Sequence, residues 1–243
     1  MATSTPFSNV SLIIPMKPLV NAKMRLSPIV DDLTRQAVAL AMFDHVCSVA
    51  IQAFSAADCR VVGGDELVEE ISQNHGLQFC EDRGHDLNSS ISLAIMDAWD
   101  TDSKGVLVIP ADVPMVSKSD LVDLIDATDD LKSPVGTMAM SDGGTNAMFW
   151  PIGVNFPPSF GEHSFSRFKA FTSAEGKPLI SVSAAGLAFD VDTPEDLNYA
   201  QSNIPNFTEK LAEFKGIVNH WISLNPVKAA WEIALEEEEL TSD

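Results

Sequence analysis

Residues 105–126 read Gly105-Val-Leu-Val-Ile-Pro-Ala-Asp-Val-Pro-Met-Val-Ser-Lys-Ser-Asp-Leu-Val-Asp-Leu-Ile-Asp126. The unbroken apolar run over 106–111 fits a strand buried on both faces, as strands of parallel sheets are. Asp112 follows at its end. Ser117-Lys-Ser-Asp120 then supplies a capping-type pair, and Leu121, Val122, Leu124 and Ile125 recur at helical spacing across 119–127. The stretch therefore reads strand, acid, helix. Ligands of open α/β sheets sit beyond the carboxyl ends of the strands, which places Asp112 where a hard cation and its phosphates would be held.

The same pattern repeats along the chain. Strand-like runs occur at 10–14, 59–63, 77–80, 135–140, 147–152, 179–183 and 186–190, and helical patterns separate most of them. The longest, 31–53, spaces Leu33, Ala37, Leu40, Ala41, Val46, Val49 and Ala50 along one face. Alternation of this kind predicts an α/β fold: a three-layer, mostly parallel sheet. A second acid motif, Gly186-Leu-Ala-Phe-Asp-Val-Asp-Thr-Pro-Glu-Asp-Leu197, ends an apolar run and then gives Thr193 as N-cap with Pro194 at the first helical position. Asp190 and Asp192 are thus expected at a strand-to-helix junction beside Asp112, and three acids on one sheet edge suggest magnesium-dependent phosphate chemistry.

After about residue 203 the pattern changes. Leu211, Phe214, Val218, Trp221 and Ile222 form an apolar stripe that Asn225-Pro226 breaks; Val227, Ala230, Trp231, Ala234 and Leu235 begin another ahead of Glu236 to Glu239. The expected division is a main domain over 8–202 and a helical, acidic C-terminal extension over 203–243.

With 243 residues, 45% apolar content and a mean hydropathy of +0.07, the chain can bury one sizeable core. A net charge of −20 and a pI near 4.4 argue against a nucleic-acid partner and against an anionic membrane surface, since both need clustered Lys and Arg. Cys47, Cys59 and Cys80 are widely spaced, with neither a disulfide framework nor a zinc pattern, and read as buried thiols. The first residues lack a basic segment followed by an apolar one, and no run is taken to reach transmembrane length, so a cytoplasmic location is expected.

Against this acidity, Lys17, Lys23 and Arg25 fall within nine positions directly after Ser11-Leu-Ile-Ile-Pro15. They share a sheet edge with Asp112 and Asp190, where they could clamp an anion; the plainer alternative is a surface loop paired with nearby acids. No P-loop or dinucleotide-type glycine motif follows that strand. In Asp142-Gly-Gly-Thr-Asn-Ala147 the backbone amides and the Thr145 hydroxyl could meet a small anion, and in Phe160-Gly-Glu-His-Ser-Phe165 both Gly161 and Ser164 fall at a helix start. Taken singly, each is more simply a turn and a cap. His163 reads as an exposed loop residue, and His45, His75, His85 and His220 have no ligand spacing.

Together these segments resemble the guanylyltransferase family that activates a small phosphorylated acid in biosynthesis of the deazaflavin coenzyme F-420, over about residues 10–202. The likeness rests on Ile14-Pro-Met-Lys-Pro18, Ala22-Lys-Met-Arg-Leu-Ser-Pro28, Ala-Asp112-Val-Pro, Gly-Gly-Thr145-Asn-Ala, Phe160-Gly-x-x-Ser with Arg167, and the motif ending at Leu197, in that order. It implies a nucleotidyltransferase-type α/β domain related to GT-A glycosyltransferases. It further implies that Asp112, Asp190 and Asp192 hold magnesium and that Thr145, Gly161 and Ser164 hold the acid acceptor. Lys17, Lys23 and Arg25 would face the GTP phosphates, with Asn88 of Asp86-Leu-Asn-Ser-Ser90 near the nucleotide, and Lys23, Arg25 and Asp112 would serve catalysis. The implied partners are GTP and phosphoenolpyruvate, favoured over 2-phospho-L-lactate and 3-phospho-D-glycerate by overall similarity to bacterial members.

Three features depart from the family pattern. Val113 replaces a common Leu, Glu162 stands where relatives often have Gly-Pro, and the tail after 203 exceeds the family length. Two rival readings remain: a GT-A type sugar-nucleotide glycosyltransferase, disfavoured by the lysines of the first loop, and a non-catalytic binding module using the tail. The tail is also the candidate contact for a homodimer.

Overall fold

Along the first strand, β1 (Val10–Pro15), alternate side chains enter different cores: Leu12 and Ile14 join one apolar cluster and Ile13 the other. The computed structural model describes residue 7 and residues 9–101, 103–154 and 156–226. β1 belongs to a seven-stranded sheet with β2 (Cys59–Val62), β3 (Gln78–Cys80), β4 (Gly105–Val108), β5 (Val135–Met138), β6 (Thr145–Pro151) and β7 (Ile180–Ser181), in the order β3-β2-β1-β4-β6-β5-β7. Only β6 runs antiparallel to its neighbours, because a tight turn at Asp142-Gly-Gly144 joins it to β5 as a hairpin. The expected three-layer, mostly parallel sheet is the observed one.

The helices divide between the faces. On one side lie α1 (Asp32–Ala53), α2 (Glu66–Asn74), α4 (Lys118–Asp126), α7 (Pro194–Asn203) and α8 (Phe207–Leu224), whose apolar faces build the larger core with Leu12, Ile14, Leu107 and Phe149. On the other lie α3 (Leu87–Trp99) and α5 (Ser164–Ala174), packed on Ile13, Val106, Val108, Met148 and Trp150. There Trp150 stacks on Phe156 with centroids 5.4 Å apart and meets Phe168 edge-on at 5.5 Å. Phe160 leans on the same pair, anchoring the loop that carries Gly161.

Two expectations change. The run 186–190 is no strand: Ala185–Ala188 winds into a single helical turn, α6. The β5 edge beside it is already covered by β7, and Gly186 lies so close to the Met115 carbonyl that a Cβ would approach to 2.4 Å. In addition, α1 is long and apolar enough by length and composition to cross a bilayer, contrary to the sequence reading. It serves as a core helix, with 67% of its most apolar window buried between the sheet and α8.

The first arm of the extension is α8, whose Phe207, Leu211, Phe214 and Val218 pack into the α1 core. The second expected arm, from Val227 to Leu235, lies outside the described residues.

Candidate active site

β1 and β4 are parallel neighbours, yet β2 and β3 extend the sheet from β1 while later strands extend it from β4. The chain reverses its direction of travel across the sheet between them, the point at which α/β sheets open a crevice. A cleft of about 660 Å³ lies there, lined by Lys17, Lys23, Met24, Arg25, Asp112 and Asp192 among others. A smaller chamber of about 210 Å³ adjoins it, with Thr145, Asn146 and Asp190 on its wall. Asp112, Asp192 and Gly161 line both.

The loop after β1 is held from two sides. Asp65, the N-cap of α2, accepts a hydrogen bond from Leu19 N at 2.7 Å as well as from Leu67 N and Val68 N. Arg35 of α1, fully buried, donates to Leu19 O at 3.2 Å and to Ala22 O, and its guanidinium also pairs with Asp32. These clamps deliver Lys23 to the cleft in a left-handed backbone conformation, φ 56° and ψ 37°, which is unfavourable for a lysine by about 1 kcal/mol.

The Lys23 side chain, only 9% exposed, places Nζ between Asp112 Oδ2 and Asp192 Oδ1, the latter at 2.6 Å. Burial opposes its charge, but the two carboxylates outweigh that and hold the ammonium above its ordinary pKa. Burial would likewise raise Asp192; the charges of Lys23, Arg25 and Lys17 and the Lys23 hydrogen bond keep it low. Arg25, 75% exposed, reaches Asp192 Oδ2 at 3.8 Å. The first-loop cations Lys23 and Arg25 and the acids Asp112 and Asp192, far apart in sequence, form one ionic cluster.

Asp190 stands apart from the Lys23 bridge. It is buried, accepts from Asn146 Nδ2 at 3.1 Å, and lies within 3.3 Å of the Ser141 hydroxyl. Burial pushes its pKa up, opposed by the Asn146 bond and reinforced by the charges of Asp112 and Asp192. Among the described residues, no three His, Cys, Asp or Glu side chains converge as a ready-made cage for a metal ion. A magnesium ion needs only one or two carboxylates when substrate phosphates and water complete its shell. Asp112 and Asp192, both partly exposed to the cleft, meet that requirement.

On the smaller chamber's far wall, Gly143 adopts φ 69° and the Asp142 carboxylate accepts from Gly144 N at 2.7 Å; a Cβ on Gly144 would come within 2.6 Å of that oxygen. This turn closes onto the start of α5. His163 N donates to Asp142 O, Ser164 N to Gly161 O and Phe165 N to Gly143 O, so these amides are already engaged. The Ser164 hydroxyl, fully buried, meets Thr145 Oγ1 at 2.8 Å. Thr145 and Gly161 therefore face the chamber, while Ser164 stands behind Thr145. Asn88 is engaged too: its amide donates to Phe160 O at 3.3 Å and accepts from Phe160 N at 2.7 Å, tying α3 to the Gly161 loop, and its neighbour Leu87 lines the cleft instead. Arg167 braces that loop through Ser159 and Glu162 O. Glu162 lines the larger cleft, its side chain mostly exposed.

Sequence reading missed Arg35, Asn146 and Leu87. Arg35 carried a signal, a cation on the apolar face of a helix in a chain poor in cations; Asn146 and Leu87 carried none that stands out.

A family model described as guanylyl transferase CofC like matches residues 10–200. Among curated proteins, a phosphoenolpyruvate guanylyltransferase of Thermobaculum terrenum is 28% identical over 78% of this chain and 81% of its own length. A 2-phospho-L-lactate guanylyltransferase of Methanothermobacter thermautotrophicus is 29% identical over 76% of this chain and 81% of its own. Among solved structures, a protein of Desulfovibrio desulfuricans G20, provisionally named a nucleotide-diphospho-sugar transferase, superposes with a TM-score of 0.65 at 17% identity, covering 88% of this chain and 99% of that one.

Proposed function

The chain belongs to the CofC-like guanylyl transferase family, and on that premise we propose that it transfers GMP from GTP to phosphoenolpyruvate, with magnesium, as a cytoplasmic step of coenzyme F-420 biosynthesis. The carrying observation is the pair of unequal chambers that meet at Asp112 and Asp192. The larger suits a nucleoside triphosphate, the smaller a three-carbon phosphorylated acid, and the new bond would form at their junction. Phosphoenolpyruvate is preferred because the bacterial relatives bear its name.

In this reading a phosphate oxygen of the acceptor attacks the α-phosphorus of GTP in line, the bond to the β-bridging oxygen breaks, and pyrophosphate departs. The acceptor monoester is already largely dianionic at neutral pH, so no general base is required. The difficulty is bringing two anions together. Lys17, Lys23 and Arg25 supply positive charge along the triphosphate, Thr145 and the Gly161 loop orient the acceptor, and the apolar Met24 and Leu87 flank the cleft. Asp112 and Asp192, with Asp190 behind them, would hold magnesium, which supplies charge neutralisation at the phosphates.

Pyrophosphate release is the test, with GTP and magnesium and with phosphoenolpyruvate, 2-phospho-L-lactate and 3-phospho-D-glycerate offered separately. Release with phosphoenolpyruvate is expected. Silence with all three, in a folded protein, would overturn the reading.

A further inference from the structure

Two acids and one ammonium make the centre of the cleft. Lys23 Nζ contacts Asp112 Oδ2 and Asp192 Oδ1, on the two carboxylates that would hold the divalent ion. An ammonium seated between those two carboxylates offsets their charge and repels a divalent ion that would bind them. Resting on the metal reading above, we propose that Lys23 is the resident cation of this site, excluding a free divalent ion and yielding only when the ion arrives with a polyphosphate.

Three observations carry this. The lysine is fixed: Arg35 and Asp65 clamp the loop before it, and its left-handed backbone aims the side chain at the acids. The exchange has a destination, because the cleft that Lys23 lines is continuous past Lys17 and Arg25, where a triphosphate would offer the displaced ammonium new oxygens. The charge balance also favours exchange: two carboxylates against one ammonium leave one negative charge, with Arg25 reaching Asp192 only at 3.8 Å. A metal ion alone must strand a buried ammonium, which is costly; with a triphosphate present, no ion is left unpaired. Ion and nucleotide thus bind as a unit, and the acids remain paired between turnovers.

The experiment is Mn²⁺ binding to the full-length protein by electron paramagnetic resonance, without nucleotide and with a non-hydrolysable α,β-methylene analogue of GTP. Wild-type protein should bind Mn²⁺ weakly alone and much more tightly with the analogue. Lys23→Met should bind Mn²⁺ without nucleotide more tightly than wild type, by on the order of tenfold or more, since removing one unit charge at contact distance is a large electrostatic change. Adding Asp192→Asn should abolish that gain. Lys23→Gln, which can still bridge both acids by hydrogen bonds, should give the same direction and guards against misfolding of the Met variant.

If neither Lys23 variant gains Mn²⁺ affinity while the wild-type protein binds Mn²⁺ with the analogue, the lysine proposal is overturned and the metal reading stands. If no protein binds Mn²⁺ even with the analogue, the metal reading itself falls, and the proposal with it.

Discussion

Two ionic clusters sit on this sheet-and-helix frame with inverted stoichiometry. In the cleft one lysine, Lys23, lies between two acids, Asp112 and Asp192. At the junction of α1, α2 and α8 one acid, Asp44, lies between two bases, with His75 Nε2 and Lys210 Nζ each at 2.7 Å. Both clusters join segments distant in sequence, and both are partly buried. The second fastens α8 to the face it covers. The first keeps surplus negative charge and opens on the larger cleft. In a chain of net charge −20, an ion pair by itself says little about function; scarce cations gathered with acids on one cleft say more.

Substitution at the acids separates the two clusters most decisively. Asp112→Asn or Asp192→Asn should lower turnover by about a hundredfold or more, the scale of losing an electrostatic contact at a reacting phosphate, with little change in melting temperature. Pyrophosphate release and thermal unfolding measured side by side decide it; a variant that keeps its rate but melts early would make the cleft cluster structural. Lys210→Met should do the reverse, costing about 1 kcal/mol in urea unfolding while activity persists.

Acid should weaken the α8 cluster in a defined window. Burial would raise the Asp44 pKa, but its bonds to Lys210 and His75 hold it below the ordinary value. A carboxyl depressed in the folded state stabilises fully above its unfolded pKa of about 3.9, and that stability is lost as pH falls through the lower folded value. The stability gap between wild type and Asp44→Asn should therefore be constant at neutral pH and shrink below about pH 4; a gap independent of pH there would remove Asp44's charge from the account.

The smallest effect is kinetic. Cys47 on α1 is buried with its pKa raised by burial, and the Cys59 thiol is pushed up to about 12 by the same cause, so in the native state a thiol reagent should modify Cys80 first. Lys210→Met should speed Cys47 modification by loosening the α8 junction, and Asp192→Asn should leave it unchanged. Equal effects from both would show that the two clusters are coupled.

The sequence made the sheet largely legible because its strands are short apolar runs closed by turn residues. The α1 expectation of 31–53 lies within one residue of Asp32–Ala53, since Asp31 is a true cap accepting from Thr34 N. The run at 186–190 misled because four apolar residues carry no period that separates a helical turn from a strand. In the candidate site, Asp112 and Lys23 were readable from their places after β4 and after β1, and Asp192 from its acid motif ahead of the Thr193 cap, although no strand precedes it. Asn88 and Ser164 look ligand-facing in sequence, yet their polar groups meet Phe160 and Thr145, partners that only the fold supplies. Besides its pairing with Asp32, Arg35 donates to backbone carbonyls of another segment, partners that residue type alone does not announce.

The aromatic nest behind the smaller chamber has an optical consequence. Trp150, one of four tryptophans, is wholly buried, donates Nε1–H to Phe156 O at 3.2 Å, and touches Phe160, the residue just before Gly161. In the proposed reading, a small acid settling against that glycine would shift the surroundings of an indole that solvent does not reach. If the proposed reading holds, Trp150 emission should report acceptor binding, and adding phosphoenolpyruvate without nucleotide tests it.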